Sequence, residues 1–219
     1  DSKQIHPSIA QYIKKYFARL CAPLEAIRAE ATRAGFPDIS IASEQAVALQ
    51  QLVRISNAQN ILEIGSLAGY SAIAMALAQN GPNARTTTVD IEQKSVDFIN
   101  IKAEEFGLRG RVRAVCSSGR DWVDSICENE VFDLVFLDAD KSSYIYYAEK
   151  LLPRIRRGGM LVADNAFAFG FVAGETGAEA DRIESIEAIK AFNEMLASDT
   201  RVQCSINPLG DGLIIAVKL

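Results

Sequence analysis

From Ile61 onward, short and nearly uninterrupted apolar runs alternate with stretches in which apolar residues recur every three or four positions. The runs at residues 61–64, 86–89, 112–115, 134–137 and 160–163 read as strands covered on both faces, because a strand with one wet face would alternate instead. Residues 70–78, 94–106, 120–128 and 143–152, lying between them, read as helices. Strand and helix in this rhythm build βα units, and hence a doubly wound parallel sheet with helices on both faces.

After Asp164 the rhythm changes. Residues 166–178, rich in Gly, Ala and Phe, read as a long loop of the kind that often serves as a lid. Ile183, Ile186, Ile189 and Phe192 then mark a helix over 181–196, and runs at 202–206 and 213–217 form a hairpin turned by residues 208–212. So tight a hairpin is antiparallel, which makes the sheet mixed at one side. Ahead of the first strand, residues 9–21, 23–35 and 43–55 read as helices, the last with Ser43 as candidate N-cap. The whole of 1–219 is expected to form one domain, an N-terminal helical cover over 1–58 and an α/β core over 59–219.

Composition narrows the chemistry more than the fold. With 49% apolar and 23% charged residues, the 219-residue chain can bury one core, and no apolar run approaches the roughly 20 residues that span a bilayer. A net charge of -5 and a pI near 5.1 weigh against broad attraction to nucleic acid or an anionic membrane; Arg109, Arg111 and Arg113 are the nearest thing to a basic patch. Cys21, Cys116, Cys127 and Cys204 are scattered, so they read as small buried apolar residues in a reducing compartment, and the protein as cytoplasmic. The most restrictive count is the single histidine, His6. It excludes an HExxH zinc site, a multi-histidine metal centre and a Cys/His zinc finger, and leaves a Ser-His-Asp triad without a nearby partner. A base is therefore to be sought among the carboxylates, the lysines or a metal-activated group.

In open α/β sheets, ligands gather outside the carboxyl ends of the strands. The first strand ends in Glu63-Ile64-Gly65-Ser66-Leu67-Ala68-Gly69-Tyr70-Ser71, where two glycines let the backbone pass close to a ligand and a helix N-terminus offers free N–H groups. Leu67 takes the place of the middle glycine of GxGxxG, which disfavours a tight turn around a pyrophosphate. Asp90, at the second strand end, could accept both hydroxyl hydrogens of a ribose, and residues 116–121 supply small side chains against which an adenine could lie. Asp138-Ala139-Asp140-Lys141 and Asp164-Asn165 end the fourth and fifth strands. Such oxygen donors suit Mg²⁺, Ca²⁺ or Mn²⁺ rather than zinc, although helix caps and solvated carboxylates use the same residues. Lys141 is a candidate general base or a solvated lysine at a helix start.

Together with Gly210-Asp211-Gly212-Leu213, these stretches closely resemble, in order and over about residues 41–219, the cation-dependent O-methyltransferases of the caffeoyl-CoA and catechol type. The resemblance implies a class I, Rossmann-like fold with seven strands, the last hairpin inserting one antiparallel strand. It also implies S-adenosylmethionine as cofactor: Glu63, Gly65, Ser66 and Ser71 would surround its methionine part, Asp90 its ribose, and Ser118 and Gly119 its adenine, with Tyr70, Ile91, Asp138 and Asp140 also facing it. Asp138, Asp164 and Asn165 would hold a divalent cation, Mg²⁺ in the first place, and Lys141 with Asp138 would be catalytic. A catechol-like phenol would chelate the cation through vicinal hydroxyls, lose one proton to Lys141 and attack the sulfonium methyl in line. Ala168-Phe169 stand where many plant-type members have Trp-Asn, a departure that argues against a CoA-ester or hydroxycinnamoyl acceptor. A homodimer is implied, with neither nucleic acid nor membrane as partner.

Two other readings use the same motifs. An RNA methyltransferase is disfavoured by the acidic charge balance, and a non-catalytic S-adenosylmethionine-binding protein by the intact Asp138, Lys141, Asp164 and Asn165. Since His6 stands outside every motif, His6→Ala is expected to retain methyl transfer to a catechol; a large loss of turnover in the folded variant would return histidine to the chemistry.

Overall fold

The computed structural model describes residues 7–18, 24–174, 177 and 179–219; His6 and Cys21 lie outside them. Among the described residues seven strands form one sheet in the order β3-β2-β1-β4-β5-β7-β6. β1 (Asn60–Ile64), β2 (Arg85–Asp90), β3 (Val112–Cys116), β4 (Phe132–Leu137) and β5 (Ile155–Ala163) run parallel. β6 (Val202–Asn207) and β7 (Leu213–Lys218) are the hairpin, and β7 inserts between β5 and β6, antiparallel to both. The crossovers carry α4 (Tyr70–Ala78), α5 (Gln93–Glu105), α6 (Gly119–Ser125) and α7 (Tyr144–Leu151), and α8 (Ile183–Ser198) leads into the hairpin. α1 (Pro7–Phe17), α2 (Glu25–Arg33) and α3 (Ser43–Ser56) precede β1. No described helix is long and apolar enough to cross a membrane.

The apolar runs are continuous because each strand feeds two cores. Ile61, Leu134, Phe136, Met160 and Val162 face Leu49, Ile73 and Ile99 of α3, α4 and α5. Their neighbours Leu62, Ile64, Val135, Leu137 and Leu161 face Tyr144 and Tyr147 of α7 and Phe192 and Leu196 of α8. At about 1.5–3 kcal/mol for each fully buried large side chain, neither layer of helices can be peeled away cheaply. Lys102 of α5, itself buried, pairs with Glu30 of α2 and, at 2.6 Å, with Glu105, fastening the N-terminal helices to the core.

Several local expectations are corrected. Ser43 is not the N-cap of α3: it lies inside the helix, Ala42 takes the cap position, and the Gln45 side-chain oxygen accepts the Ala42 N–H at 2.9 Å. The freed Ser43 hydroxyl donates to Glu25 at 2.6 Å. β5 begins at Ile155, because Gly158, at φ 71°, and Gly159 form a bulge that shifts the register between Phe132 and Leu134. A Cβ on Gly159 would stand 2.7 Å from the Asp133 carbonyl, so the strand has no room for a side chain at that position. Within the expected loop, Ala168–Ala173 forms 3₁₀ turns broken by left-handed Phe169 and Gly170. Cys116 and Cys127 are exposed, at a strand end and beyond α6, and only Cys204 among the described cysteines is partly buried.

At the amino ends of the strands, Asp133 accepts the N–H groups of Gln59 and Asn60 at 2.8 and 2.7 Å and Arg156 Nε at 2.5 Å. Burial alone would raise its pKa; these donors outweigh burial and hold it below the ordinary value. Asp133→Ala strands three donors and is expected to cost about 2–3 kcal/mol in urea unfolding, with little change in ligand binding at the opposite sheet edge.

Candidate active site

The strand order reverses between β1 and β4, whose chains leave the sheet in opposite directions and open a crevice at their carboxyl ends. Gly65 turns away at φ 89°, its N–H on the Val89 carbonyl, while the Asp138 N–H reaches the Ile64 carbonyl at 2.9 Å. The two segments pass so closely that a Cβ on Gly65 would collide with the Asp138 carbonyl. Beyond Gly65 the loop is gathered around Asp90: Oδ2 accepts the N–H groups of Ser66 and Leu67 at 3.1 and 2.8 Å, and Oδ1 that of Glu92 at 3.0 Å. These bonds hold Leu67 in the left-handed region at φ 48° and leave Oδ1 as the freer oxygen for a ligand hydroxyl.

Two cavities meet at this crevice. One of about 640 Å³ is lined by Asp90, Ile91, Ser118, Gly119, Asp138 and Asp140. A Cβ on Gly119 would strike the Tyr147 hydroxyl, which donates to Asp140 Oδ1 at 2.9 Å, so the floor requires glycine there. The other, about 510 Å³, is lined by Ser66, Tyr70, Ser71, Asp138, Lys141, Asp164 and Asn165 on one side. Its other walls are Ile39 and Ile41, ahead of α3, and Phe169, Phe171, Arg182, Ile186 and Ile189 from the 3₁₀ turns and α8. Gly65 and Asp138 border both cavities. Glu63 alone of the sequence-predicted residues lines neither; it lies on the α4 side of β1, wholly buried, and accepts the Thr88 hydroxyl. Its Oε1 has no partner.

The charges are unevenly compensated. Asp164 is 6% exposed and accepts the Gln45 side-chain amide at 2.6 Å. Burial first, and then the charge of Asp138, pushes its pKa up to about 6 against the Asn165 N–H, Gln45 and Lys141. Lys141 Nζ lies 3.0 Å from Asp138 Oδ1 and 2.7 Å from the Tyr144 hydroxyl. Asn165, left-handed at φ 62°, donates its amide to Asp211 in the β6–β7 turn at 3.2 Å, which leaves its carbonyl oxygen for another partner. No described group of three His, Cys, Asp or Glu could hold an ion, so any cation here relies on two carboxylates and an amide.

Gln45, Tyr144 and the wall from Phe169 to Ile189 escape a reading of the strand ends. Tyr144 had a local signal, one helical turn after Lys141. Gln45 meets Asp164 across 119 residues, and no local pattern announces it.

For Glu63, burial above all, with the charges of Asp138 and Asp90, raises the pKa from 4.5 to about 7 against hydrogen bonds from Ser71 and Thr88. The folded state thus keeps a proton that the unfolded chain releases, and unliganded stability falls as pH rises from 4.5 through 7. Urea titrations between about pH 5 and pH 8 are expected to show this slope in the native chain and a flatter one in Glu63→Gln; identical slopes would count against it.

Comparison with known proteins agrees with this architecture. The sequence profile of the O-methyltransferase family matches residues 16–219. A catechol O-methyltransferase of Niastella koreensis is 31% identical, over 99% of this chain and 99% of its own. A caffeoyl-CoA O-methyltransferase of Populus kitakamiensis is 30% identical over 83% of this chain and 79% of its own. The O-methyltransferase from Bacillus cereus, solved in complex with SAH, superposes with a TM-score of 0.85 at 29% identity, covering 97% of each chain. With a profile match running from α1 to the end of β7 and the crevice formed at the β1–β4 reversal, the chain belongs to the O-methyltransferase family.

Proposed function

We propose that this O-methyltransferase moves the methyl group of S-adenosylmethionine to one hydroxyl of a small vicinal dihydroxy aromatic, with a divalent cation held by Asp138, Asp164 and Asn165 and with Lys141 as base. The observation that carries the reading is the juncture of the cavities: the two share Asp138, and Lys141 and Asp164 stand on the side walled by Phe169, Phe171, Ile186 and Ile189.

The residues suit both groups. SAH, bound by the Bacillus cereus relative, is the demethylated form of S-adenosylmethionine. Here Asp90 Oδ1 could answer a ribose hydroxyl, and the small Ser118 and Gly119 a flat base. Asp138 and Asp164 crowd two carboxylates at adjacent strand ends, and the desolvated Asp164 is short of positive charge. Two such oxygens and the Asn165 carbonyl make a hard donor set suited to Mg²⁺, with Mn²⁺ or Ca²⁺ as alternatives.

When bound, S-adenosylmethionine supplies an electrophilic methyl group, and the cation supplies Lewis acidity toward the acceptor oxygens. The protein does the rest by position. Phe169, Phe171, Ile186 and Ile189 offer an apolar slot for an aromatic ring and keep water from the reacting oxygen. Lys141, steadied by Asp138, takes up the acceptor's hydroxyl proton at Nζ. The crevice walls would hold the methyl donor against the acceptor oxygen, and most of the acceleration would come from that alignment.

Mass spectrometry of products from catechols, flavonoids and hydroxycinnamoyl esters, with and without Mg²⁺, tests the reading directly. Methylated catechols should appear only with the cation, and full activity in EDTA-treated, metal-free protein would sink it. Asp164→Ala is expected to abolish transfer while leaving S-adenosylmethionine affinity within a few-fold; loss of cofactor binding in the folded variant would reassign Asp164.

A further inference from the structure

A lysine that acts as a base must aim its lone pair, and the structure assigns that task to Tyr144. The inference rests on reading Lys141 as the base. Lys141 Nζ has two neighbours, Asp138 Oδ1 at 3.0 Å and the Tyr144 hydroxyl at 2.7 Å. The same hydroxyl lies 3.1 Å from the Leu137 carbonyl oxygen. A carbonyl can only accept, and a phenol has one hydrogen, so the Tyr144 O–H donates to Leu137 and turns its lone pairs toward Lys141. Burial, with the charges of Asp138, Asp164 and Asp140, raises the Tyr144 pKa well above the ordinary value, so this proton stays in place.

The geometry of nitrogen completes the argument. A neutral amine has a bond to carbon, two N–H bonds and one lone pair. Asp138 accepts one N–H and Tyr144 the other, and with both committed the lone pair has a single remaining direction. Asp138 alone would leave Nζ free to pivot on a flexible stem. Tyr144 cannot follow such a swing. It is 1% exposed at the start of α7, its ring edge-on to Phe192 with centroids 5.1 Å apart.

Tyr144 is thus a positioning residue, not a proton relay, because its one hydrogen belongs to Leu137. In the step it serves, the acceptor O–H bond breaks and the proton passes to the Lys141 lone pair, giving an ammonium. The oxygen's electrons form the new bond to the methyl carbon as the sulfur–methyl bond breaks, and that pair remains on the neutral sulfur of the departing SAH.

Tyr144→Phe keeps the ring and its packing on Phe192 while removing the acceptor. Its kcat is expected to fall about tenfold or more, with acceptor KM, S-adenosylmethionine affinity and Mg²⁺ affinity within about twofold of the parent. In a Lys141→Ala background the same change should cost nothing further. An unchanged kcat in Tyr144→Phe, or an equal loss in both backgrounds, overturns the proposal, since Tyr144 would then not act through Lys141. Full turnover in Lys141→Ala alone overturns the base reading itself, and the proposal with it. Should Tyr144→Phe fail to fold, replacement of Tyr144 by p-aminophenylalanine retains a donor for Leu137 but accepts poorly. It should show the same fall in kcat, and parental turnover would again overturn the proposal.

Discussion

The close passage of Gly65 and Asp138 governs the whole carboxyl edge of the sheet. β1 and β4 are neighbours, yet their chains leave in opposite directions, and only a residue without a Cβ lets the first slip past the carbonyl of the second. From that contact both cavities follow. Gly65 leads into the loop that wraps Asp90, and Asp138 begins the segment that delivers Asp140 to one cavity and Lys141 to the other. A methyl donor and its acceptor must meet within a few ångströms, and a partition no thicker than one backbone meets that requirement.

The same edge concentrates negative charge. Asp90 is satisfied by backbone N–H groups, which fix a loop while neutralising little. Asp138 has Lys141 at 3.0 Å, but Asp164 takes its hydrogen bonds from the neutral Gln45 amide and Asn165 N–H, and Glu63 takes its own from hydroxyls. Both of the latter are driven toward protonation by burial. Two buried carboxyls held near protonation are the kind of group that positive charge from a ligand would return to its anionic form.

Much of this was legible in the chain. Five parallel strands and the hairpin appear in the apolar pattern, because strands covered on both faces need uninterrupted runs. The order of strand ends led directly to Asp90, Asp138 and Asp164, since the topology places ligands there whatever their identity. What escaped was long-range or conformational. The first half of β5 lies ahead of the apolar run at 160–163, because the Gly158-Gly159 bulge interrupts the pattern there. Gln45 reaches Asp164 only once α3 has packed beside β5, and the Phe169–Ile189 wall exists only where the 3₁₀ turns fold back on α8. Glu63 was expected at the cofactor; it is wholly buried beneath α4, beside Thr88, and lines neither cavity.

The insertion of β7 between β5 and β6 ties the end of β5 to a turn far along the chain. Asp211, in the turn before β7, receives the Asn165 amide and the Phe169 N–H, so the strand end that follows β5 is shaped by residues about fifty positions downstream. Asn165 and the Phe169 backbone therefore lean on the turn before Leu213, although neither belongs to the hairpin. A change in the β6–β7 turn would thus reach the end of β5 through Asp211 without touching either strand's core.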